Sequence, residues 1–445
     1  MPIYRKTPYT LLFAAVLATA GIGASFAEVK TKAILSDVLQ HVAETHPSLE
    51  AERARLSSTE ESVRQAASNW FPSVTASGSA SSALTEPGAF GSNSGETANV
   101  GLSVTQPLYR GGQTVSRVKE ANHLVDAQKE TLKSVEQTIL LSAVTAYIAL
   151  IRDYKVVSLR TQNVENLETH LESEEVRFEL GENTITDVSQ SKARLAAAKA
   201  EQQKAKGQLI NTEAAYMRVV GQTSPDISSI SLPSLELLKM FENLSDLDRA
   251  IATSYEMHPD ILLARITAEA NKADQRAIKG ELYPTLSVVG ETGRTFRPVF
   301  ASGEAYQDTS SIALQAQVPL YLGGETRSRL KQSQLNGDRL RLEVLDVERE
   351  IRERVTTAWQ NLHIAKAEVG SRETQVEAER LALDGTREEY DLGGRTTLDV
   401  LDAQQEKLDA DVALVSAKHD VVLAEFQLLA ATGQLTLKKI LKVLP

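Results

Sequence analysis

Two aspartates of this 445-residue chain, Asp399 and Asp402, have a type and spacing that suggest a chemical role. They stand three positions apart and therefore share one face of a helix. The simplest explanation for such a pair is a solvated helix surface. If several copies of the chain turned this face toward a common axis, however, the carboxylates would form a ring that selects cations. Repulsion within such a ring would raise some of the aspartate pKa values.

A second set of polar residues differs between the two halves of the chain. The halves otherwise correspond to each other at a constant spacing, which is the spacing between Gly181 and Gly393. This spacing is called the repeat offset below. Tyr390 in the second half corresponds to Phe178 in the first, and Arg395 corresponds to Asn183. The hydroxyl and the guanidinium of the second half can therefore bind Asp187 on a neighbouring hairpin, through a hydrogen bond and a charge-assisted pair. The alternative is that these are solvated charges at a helix tip.

Common catalytic and metal-binding motifs are missing from the sequence. It has no Gly-x-Ser-x-Gly elbow, no Walker A loop, no His-Glu-x-x-His helix and no cysteine. We therefore expect no enzymatic activity, no catalytic residue, no bound metal and no cofactor. The net charge of −11 argues against a nucleic-acid partner, which would require a basic surface.

The N-terminal segment 1–27 has the organisation of a secretory signal peptide. Arg5 and Lys6 precede an apolar run from Leu11 to Ala20, and Ser25-Phe26-Ala27 forms a small-x-small cleavage site. The alternative is an uncleaved anchor. We expect cleavage and export. Because no later run of about 18 apolar residues is evident, we also expect no transmembrane helix.

The rest of the chain is a duplication, so one structural unit is used twice. The paired anchors are His46-Pro47 with His258-Pro259, Gln106-Pro107-Leu108-Tyr109 with Val318-Pro319-Leu320-Tyr321, Gly111-Gly112 with Gly323-Gly324, Gly181 with Gly393, and Gly221 with Gly433. The expected segments are a first repeat at 28–221 with strands at about 71–85 and 97–109, a linker at 222–250, a second repeat at 251–433 with strands at about 283–295 and 309–321, and a C-terminal tail at 434–445.

Each repeat predicts a helix, a β-hairpin and then a very long helical stretch. Alternating apolar residues predict the strands, and no proline interrupts residues 108–224 or 320–444. A helix of about 69 residues would be roughly 100 Å long and has to pack in a bundle. Coiled-coil spacing predicts its buried seams at Val347, Ile351, Val355, Ala358, Leu362, Ala365 and Val369, and at Leu401, Leu408, Val412, Val415, Val422, Phe426 and Leu429.

Glycine and proline mark the ends of these elements. Gly181 and Gly393 are predicted to turn each long helix back on itself. Strand-to-helix junctions are predicted at Pro107, Gly111 and Gly112 in the first repeat and at Pro319, Gly323 and Gly324 in the second. The junctions are rich in aromatic residues, which suits either a membrane interface or packing between sheet and helices: Trp70, Phe71, Tyr109, Tyr283 and Tyr321.

The strands raise a problem of closure. Two strands in each repeat give four in the chain, and an isolated four-stranded sheet has two open edges. Open edges are not tolerated in lipid, and closed outer-membrane barrels begin at eight strands. Several chains would therefore have to share one barrel, and three chains would supply twelve strands. The alternative is a small soluble sheet that caps a coiled coil.

The segment from Tyr390 to Asp402 resembles the second-repeat entrance motif of the TolC family of outer-membrane channel-tunnels. It reads Tyr-Asp-Leu-Gly-Gly-Arg-Thr-Thr-Leu-Asp-Val-Leu-Asp, against a family pattern of aromatic-x-x-Gly-x-Arg-Thr-x-x-Asp-Val-Leu-Asp. Residues 180–188 are similar to the first-repeat partner of that motif. The likeness covers essentially the whole chain after the signal peptide.

The resemblance implies a mainly α-helical chain with a small β part, in which three copies build a twelve-stranded outer-membrane barrel continued by an α-helical periplasmic tunnel. It implies an exit duct for drugs, amphiphiles or polypeptides that works with a periplasmic adaptor and an inner-membrane transporter. Drug efflux and type I secretion are not separated by it. It also implies an equatorial segment, for which residues 222–250 are the candidate. Further implications are an entrance ring at Asp399 and Asp402, closing links at Asp187, Tyr390 and Arg395, and adaptor-docking tips at Leu180, Gly181, Leu392 and Gly393.

Two other classes of protein remain open at this point. A periplasmic coiled-coil adaptor would never enter the membrane, but adaptors carry one hairpin between lipoyl-like halves, and here the hairpin is duplicated. A structural periplasmic spacer would form no pore.

Overall fold

Four long helices and a four-stranded sheet dominate the computed structural model, which describes residues 35–84, 94–225, 246–296 and 306–441. The expected signal peptide lies outside the described residues, as do residues 226–245 of the expected equatorial segment and the loop within each β-hairpin. The helices of the first repeat are α1 (Leu35–Thr45), α2 (Pro47–Ala67), α3 (Gln113–Glu179) and α4 (Ile185–Val220). Those of the second are α5 (Leu247–Met257), α6 (Pro259–Gly280), α7 (Glu325–Asp391) and α8 (Thr397–Ala431), followed by α9 (Leu437–Ile440).

The predicted duplication is confirmed element by element. The helices α6, α7 and α8 each begin one repeat offset after α2, α3 and α4. Both α3 and α7 contain 67 residues, which corresponds to roughly 100 Å of helix. The chain is therefore mainly helical, with two copies of a unit made of a helix, a β-hairpin and a long broken helix.

Local chemistry fixes where the helices begin and end. His46 and His258 cap α2 and α6, since the Nδ1 atom of each accepts the backbone N–H two residues later at 3.2 Å. Proline then occupies the first helical position, where no N–H partner is needed. The long helices end where Gly181 and Gly393 adopt a φ of 80°, a conformation that suits glycine because it has no Cβ.

The strands form one antiparallel sheet in the order β1–β2–β3–β4, with bounds β1 (Ser73–Leu84), β2 (Ser94–Arg110), β3 (Thr285–Phe296) and β4 (Tyr306–Gln317). The β2–β3 pairing joins the two repeats, and Gly101 lies opposite Gly293 in its register. Within the described residues, β1 and β4 each pair on one side only. One chain therefore leaves both edges of the sheet open.

The two prolines at the junctions behave differently from each other. The β2 strand runs past Pro107 to Arg110, with a bulge between Pro107 and Tyr109, because β3 pairs with it there. The second-repeat strand, expected to reach residue 321, ends at Gln317. Its last partner in β3 is Thr285, where β3 begins, so β3 of the same chain does not pair with the segment around Pro319.

The hydrophobic core lies where α3, α7 and α8 meet the short helices. Leu39, Leu140, Ile351 and Phe426 are all fully buried there. The predicted seam of α7 is confirmed, since its five central members are buried and its two end members are partly buried. In the predicted seam of α8, Leu401, Leu408, Val422, Phe426 and Leu429 are buried. Each such side chain contributes about 1.5–3 kcal/mol through removal from water.

One apolar stretch was missed in the sequence. An 18-residue window of α3 has a mean hydropathy of 1.5, enough to cross a membrane by length and composition alone. The expectation that the chain has no stretch of this length and apolar character after the signal peptide was wrong. Half of the window is buried within the protein, because α3 carries Leu140, Ile148 and Ile151 into the core.

Candidate functional site at the hairpin tips

The two helical hairpins end in tips of the same construction. Leu180 and Leu392 stand at the turns and are 70% and 88% exposed, and a glycine with a positive φ follows each of them. Large apolar side chains at such exposure are suited to contact another protein. The tip residues expected to dock an adaptor are therefore accessible in one chain, and their docking role stays a prediction.

Asp187 and Asp399 lie in the first turns of the returning helices and exchange hydrogen bonds with the N-cap threonines. The backbone N–H and hydroxyl of Thr184 donate to Asp187 Oδ2 at 3.0 and 2.7 Å. Thr396 makes the same two bonds to Asp399 Oδ2 at 2.9 and 2.8 Å. This reciprocal arrangement is a capping box. The Thr-x-x-Asp spacing after each tip glycine is the sequence signal for it.

The capping box also determines the ionisation of Asp399. Hydrogen bonds from the backbone and then the side chain of Thr396 hold the pKa of Asp399 below its ordinary value. Asp399 is therefore anionic at neutral pH in a single chain, where repulsion from other copies is absent. The rise in pKa expected for a ring of carboxylates remains a prediction about the assembly.

Asp402 lies one turn further along α8 and is half-exposed. It forms an ion pair with Arg194 of α4, so the second carboxylate of the predicted ring has a basic partner on the other hairpin. At the repeat offset, Asp402 corresponds to Gln190 and Arg194 to Glu406. The pair therefore has no equivalent at the corresponding positions, and it partly neutralises Asp402.

The structure does not bring the three predicted closing residues together within one chain. Arg395 Nε donates to Glu389 Oε2 at 2.7 Å. The Tyr390 hydroxyl donates to Glu174 Oε1, also at 2.7 Å. Both bonds from Thr184 to Asp187 end on Oδ2, which leaves Oδ1 for another donor. A link from Asp187 to Tyr390 or Arg395 of another copy stays a prediction.

Glu174, like Arg194, was not predicted from the sequence. Its side chain is 1% exposed, although it lies in the acidic and outwardly unremarkable stretch Glu172–Glu175. The asymmetry between the repeats could have revealed it, because its counterpart is Thr386.

The predicted strand-to-helix junctions contain the required glycine conformations. Gly111, Gly112, Gly323 and Gly324 all have positive φ values, between 60° and 86°. A Cβ on Gly111 would lie 2.1 Å from the carbonyl oxygen of Gly280, so the end of α6 crosses close to this junction. The five junction aromatics are between 47% and 85% exposed in one chain, as a membrane-interface band requires.

The fold, the two open sheet edges and the exposed helical tips together define the class of outer-membrane channel-tunnels. Comparison with known proteins agrees with this class. The sequence profile of the outer membrane efflux protein family matches residues 38–222 and 250–434, one match for each repeat. The chain therefore belongs to the outer membrane efflux protein family.

Individual relatives give the same result. The chain is similar to the outer membrane efflux protein BepC of Brucella suis, with 32% identity over 388 residues, 87% of this chain and 82% of BepC. It is 24% identical to the outer membrane protein TolC of Vibrio cholerae over 349 residues, 78% of each chain. The solved structure of the outer-membrane channel OprN has the same fold, with a TM-score of 0.75, 21% identity and 90% of each chain covered.

This membership places the protein in the outer membrane, extending into the periplasm, as an exit duct. The periplasmic adaptor and the structural spacer are thereby ruled out. The family consists of channels. Among the described residues, no group of three or more histidine, aspartate or glutamate side chains is arranged to hold a metal ion.

Proposed function

We propose that three copies of this chain close into one twelve-stranded barrel and one helical tunnel. The duct would receive amphiphiles, drugs or polypeptides from a periplasmic adaptor and an inner-membrane transporter. The observation that carries the proposal is the pair of open edges, β1 and β4, in a sheet whose internal junction already shows how two repeats join. Three is the smallest number of copies that leaves a passage, because an eight-stranded barrel is filled by its own side chains.

The β2–β3 junction serves as a template for the contact between copies. Adding the repeat offset to the number of a β2 residue gives the corresponding residue of β4. Subtracting it from the number of a β3 residue gives the corresponding residue of β1. The observed pair Gly101–Gly293 therefore predicts Ala313 opposite Ser81 of the next copy. The same rule gives the segment around Pro319 a partner in the next copy, as β3 gives one to Pro107.

The two faces of the sheet support a barrel in lipid with water inside. In the observed register, one face carries apolar residues on every strand, among them Val74, Val100, Leu102, Ile312 and Leu314. These five are 43–86% exposed in one chain. The opposite face carries polar residues, among them Ser77, Ser79, Ser103, Glu291 and Gln315. Apolar-out and polar-in alternation is what an outer-membrane barrel requires.

The tips supply the proposed entrance. Leu180, Gly181, Leu392 and Gly393 form the surface that docks an adaptor. Asp399 and Asp402 form the acidic ring. Asp187, Tyr390 and Arg395 form the links that close the entrance. A capping role for Asp187 and Asp399 is compatible with these assignments, because a cap fixes the carboxylates in place at the helix start.

Disulfide cross-linking tests the contact between copies directly, since the natural chain has no cysteine. Ala313→Cys combined with Ser81→Cys should give a covalent trimer on a denaturing gel after mild oxidation. The matched control, Ala313→Cys with Ser79→Cys, shifts the partner by two residues on the same face and should cross-link poorly. Equal cross-linking in both variants, or none in the first, would contradict the proposed register.

A further inference from the structure

Glu174 collects hydrogen bonds from three different elements at the hairpin tips. Tyr390 of α7 donates its hydroxyl to Oε1 at 2.7 Å. Asn183, in the turn between α3 and α4, and Thr397, at the start of α8, donate to Oε2, the latter at 3.4 Å. The carboxylate itself is buried in α3, five residues before that helix ends. The first-repeat hairpin thus holds the second-repeat hairpin of the same chain through one acidic side chain.

Charged neighbours surround this carboxylate on both hairpins. His170 Nε2 lies 3.8 Å from Oε1. Burial has the largest effect on the pKa of His170 and lowers it; Glu174 opposes this, and Arg387 and Arg177 add smaller lowering effects. The Arg177 guanidinium stands 5.1 Å from the centre of the Tyr390 ring and 3.7 Å from Asp391. The Tyr390 side chain is therefore fixed by a hydrogen bond at its hydroxyl and a cation over its face.

The other repeat cannot make the same connection. At the repeat offset, Glu174 corresponds to Thr386, Tyr390 to Phe178, and Thr397 to Ile185. At the contact between two copies, Thr386 would therefore meet Phe178 and Ile185 of the next chain. Phe178 and Ile185 are 41% and 61% exposed in one chain, as expected for side chains that are covered only when another copy binds.

We propose that Glu174 is a latch that binds the two hairpins of one chain together at their tips, and that Tyr390 restrains the entrance through Glu174. This inference rests on the proposed trimeric duct. Opening the entrance then requires the second-repeat hairpin to leave the Glu174 carboxylate, so the latch favours the closed state. Releasing it leaves an acidic group buried without its donors, which is costly.

A double-mutant cycle measured by single-channel recording tests the latch. Tyr390→Phe and Glu174→Ala should each raise the ratio of open to closed occupancy by about tenfold, the effect of losing roughly 1.4 kcal/mol. The double variant should show no more than the larger single effect, because both changes break the same bond. Glu174→Gln keeps an acceptor and should have a smaller effect, which also covers the case in which Glu174→Ala does not assemble.

Glu175 provides a matched control. It is the same residue type one position along α3, but it is 47% exposed and pairs with Lys192 inside the first hairpin at 2.8 Å. Glu175→Ala should leave occupancy unchanged. The latch would be overturned if the effects of Tyr390→Phe and Glu174→Ala multiplied in the double variant. An effect of Glu175→Ala as large as that of Glu174→Ala would also overturn it. A natural protein that forms no channel would instead overturn the proposed function.

Discussion

Ser134 of α3 donates its hydroxyl to Asp260 Oδ1 of α6 at 2.8 Å, and the same two residue types recur in exchanged positions elsewhere in the chain. At the repeat offset, Ser134 corresponds to Asp346 and Asp260 to Ser48. Ser48 and Asp346 are both exposed in one chain. The contact between copies would therefore repeat the hydrogen bond of the contact between repeats, with the carboxylate on α7 and the hydroxyl on α2.

This relationship predicts a charge clash that a second substitution repairs. Ser48→Asp should place two carboxylates together at each contact between copies and lower the temperature at which the trimer dissociates in detergent. Ser48→Asp with Asp346→Ser should restore it, because the pair then has the arrangement seen at Ser134 and Asp260. Asp338→Ser is the control, since Asp338 pairs with Arg341 on its own helix. Failure of the double variant to recover would contradict the proposed contact.

The acidic ring predicts a loss of ion selectivity. Asp399→Asn with Asp402→Asn should reduce cation preference and abolish block by a trivalent cation of the hexammine type, since the ring loses its charge. Asparagine is preferable to alanine at residue 399, because it still accepts the capping hydrogen bonds from Thr396. The measurement is the reversal potential across a salt gradient. Unchanged selectivity and block would show that these aspartates are only a solvated helix face.

Arg194 allows the opposite change at the same ring. It pairs with Asp402, so Arg194→Gln should free that carboxylate and increase cation preference. Lys192→Gln, which removes a nearby cation that pairs with Glu175 instead, is the matched control and should change the reversal potential less. Equal shifts from both variants would mean that net charge at the tips, and not the Asp402 pair, sets selectivity.

Glu425 predicts a stability that depends on pH. This residue of α8 is fully buried, with Lys366 Nζ 3.6 Å away, and burial raises its pKa to about 7. Because the folded pKa lies above the unfolded one, its contribution is fully present below the unfolded pKa and is lost as pH rises through about 7. The loss corresponds to about 3 kcal/mol per chain.

Thermal unfolding at pH 5 and pH 8 measures this effect. Glu425→Gln should flatten the fall in stability of the natural protein between the two pH values. Glu213→Gln changes the corresponding, partly exposed glutamate of the first repeat and should leave the pH dependence as it was. An unchanged slope in Glu425→Gln would show that the Glu425 carboxylate stays ionised in the folded protein.

Most of the fold could be predicted because the sequence contains the structural unit as an internal duplication. Two occurrences of each anchor gave the element order, and the coiled-coil spacing gave the buried faces of α7 and α8. The end of β4 could not be predicted from one chain's pattern. Pro107 and Pro319 look alike in sequence, but β3 extends along Pro107 and ends before it could reach Pro319.

The site was harder to predict than the fold. Residue types and differences between the repeats predict Asp187, Tyr390, Arg395, Asp399 and Asp402 as candidates. The partners of Tyr390 and Asp402 in one chain could not be predicted, because contacts between α3 and α7 and between α4 and α8 depend on how the two hairpins cross. Glu174 and Arg194 lie on helices rich in charged residues, where one buried carboxylate has no distinguishing local pattern.

The most direct test of the trimeric duct combines mass and conductance on one sample. The natural protein, extracted from outer membranes in mild detergent, should have a protein mass of three chains and should produce cation-preferring channels in a planar lipid bilayer. Three chains and conductance together are the result that the account predicts. A single chain in solution that leaves the bilayer non-conducting would contradict it.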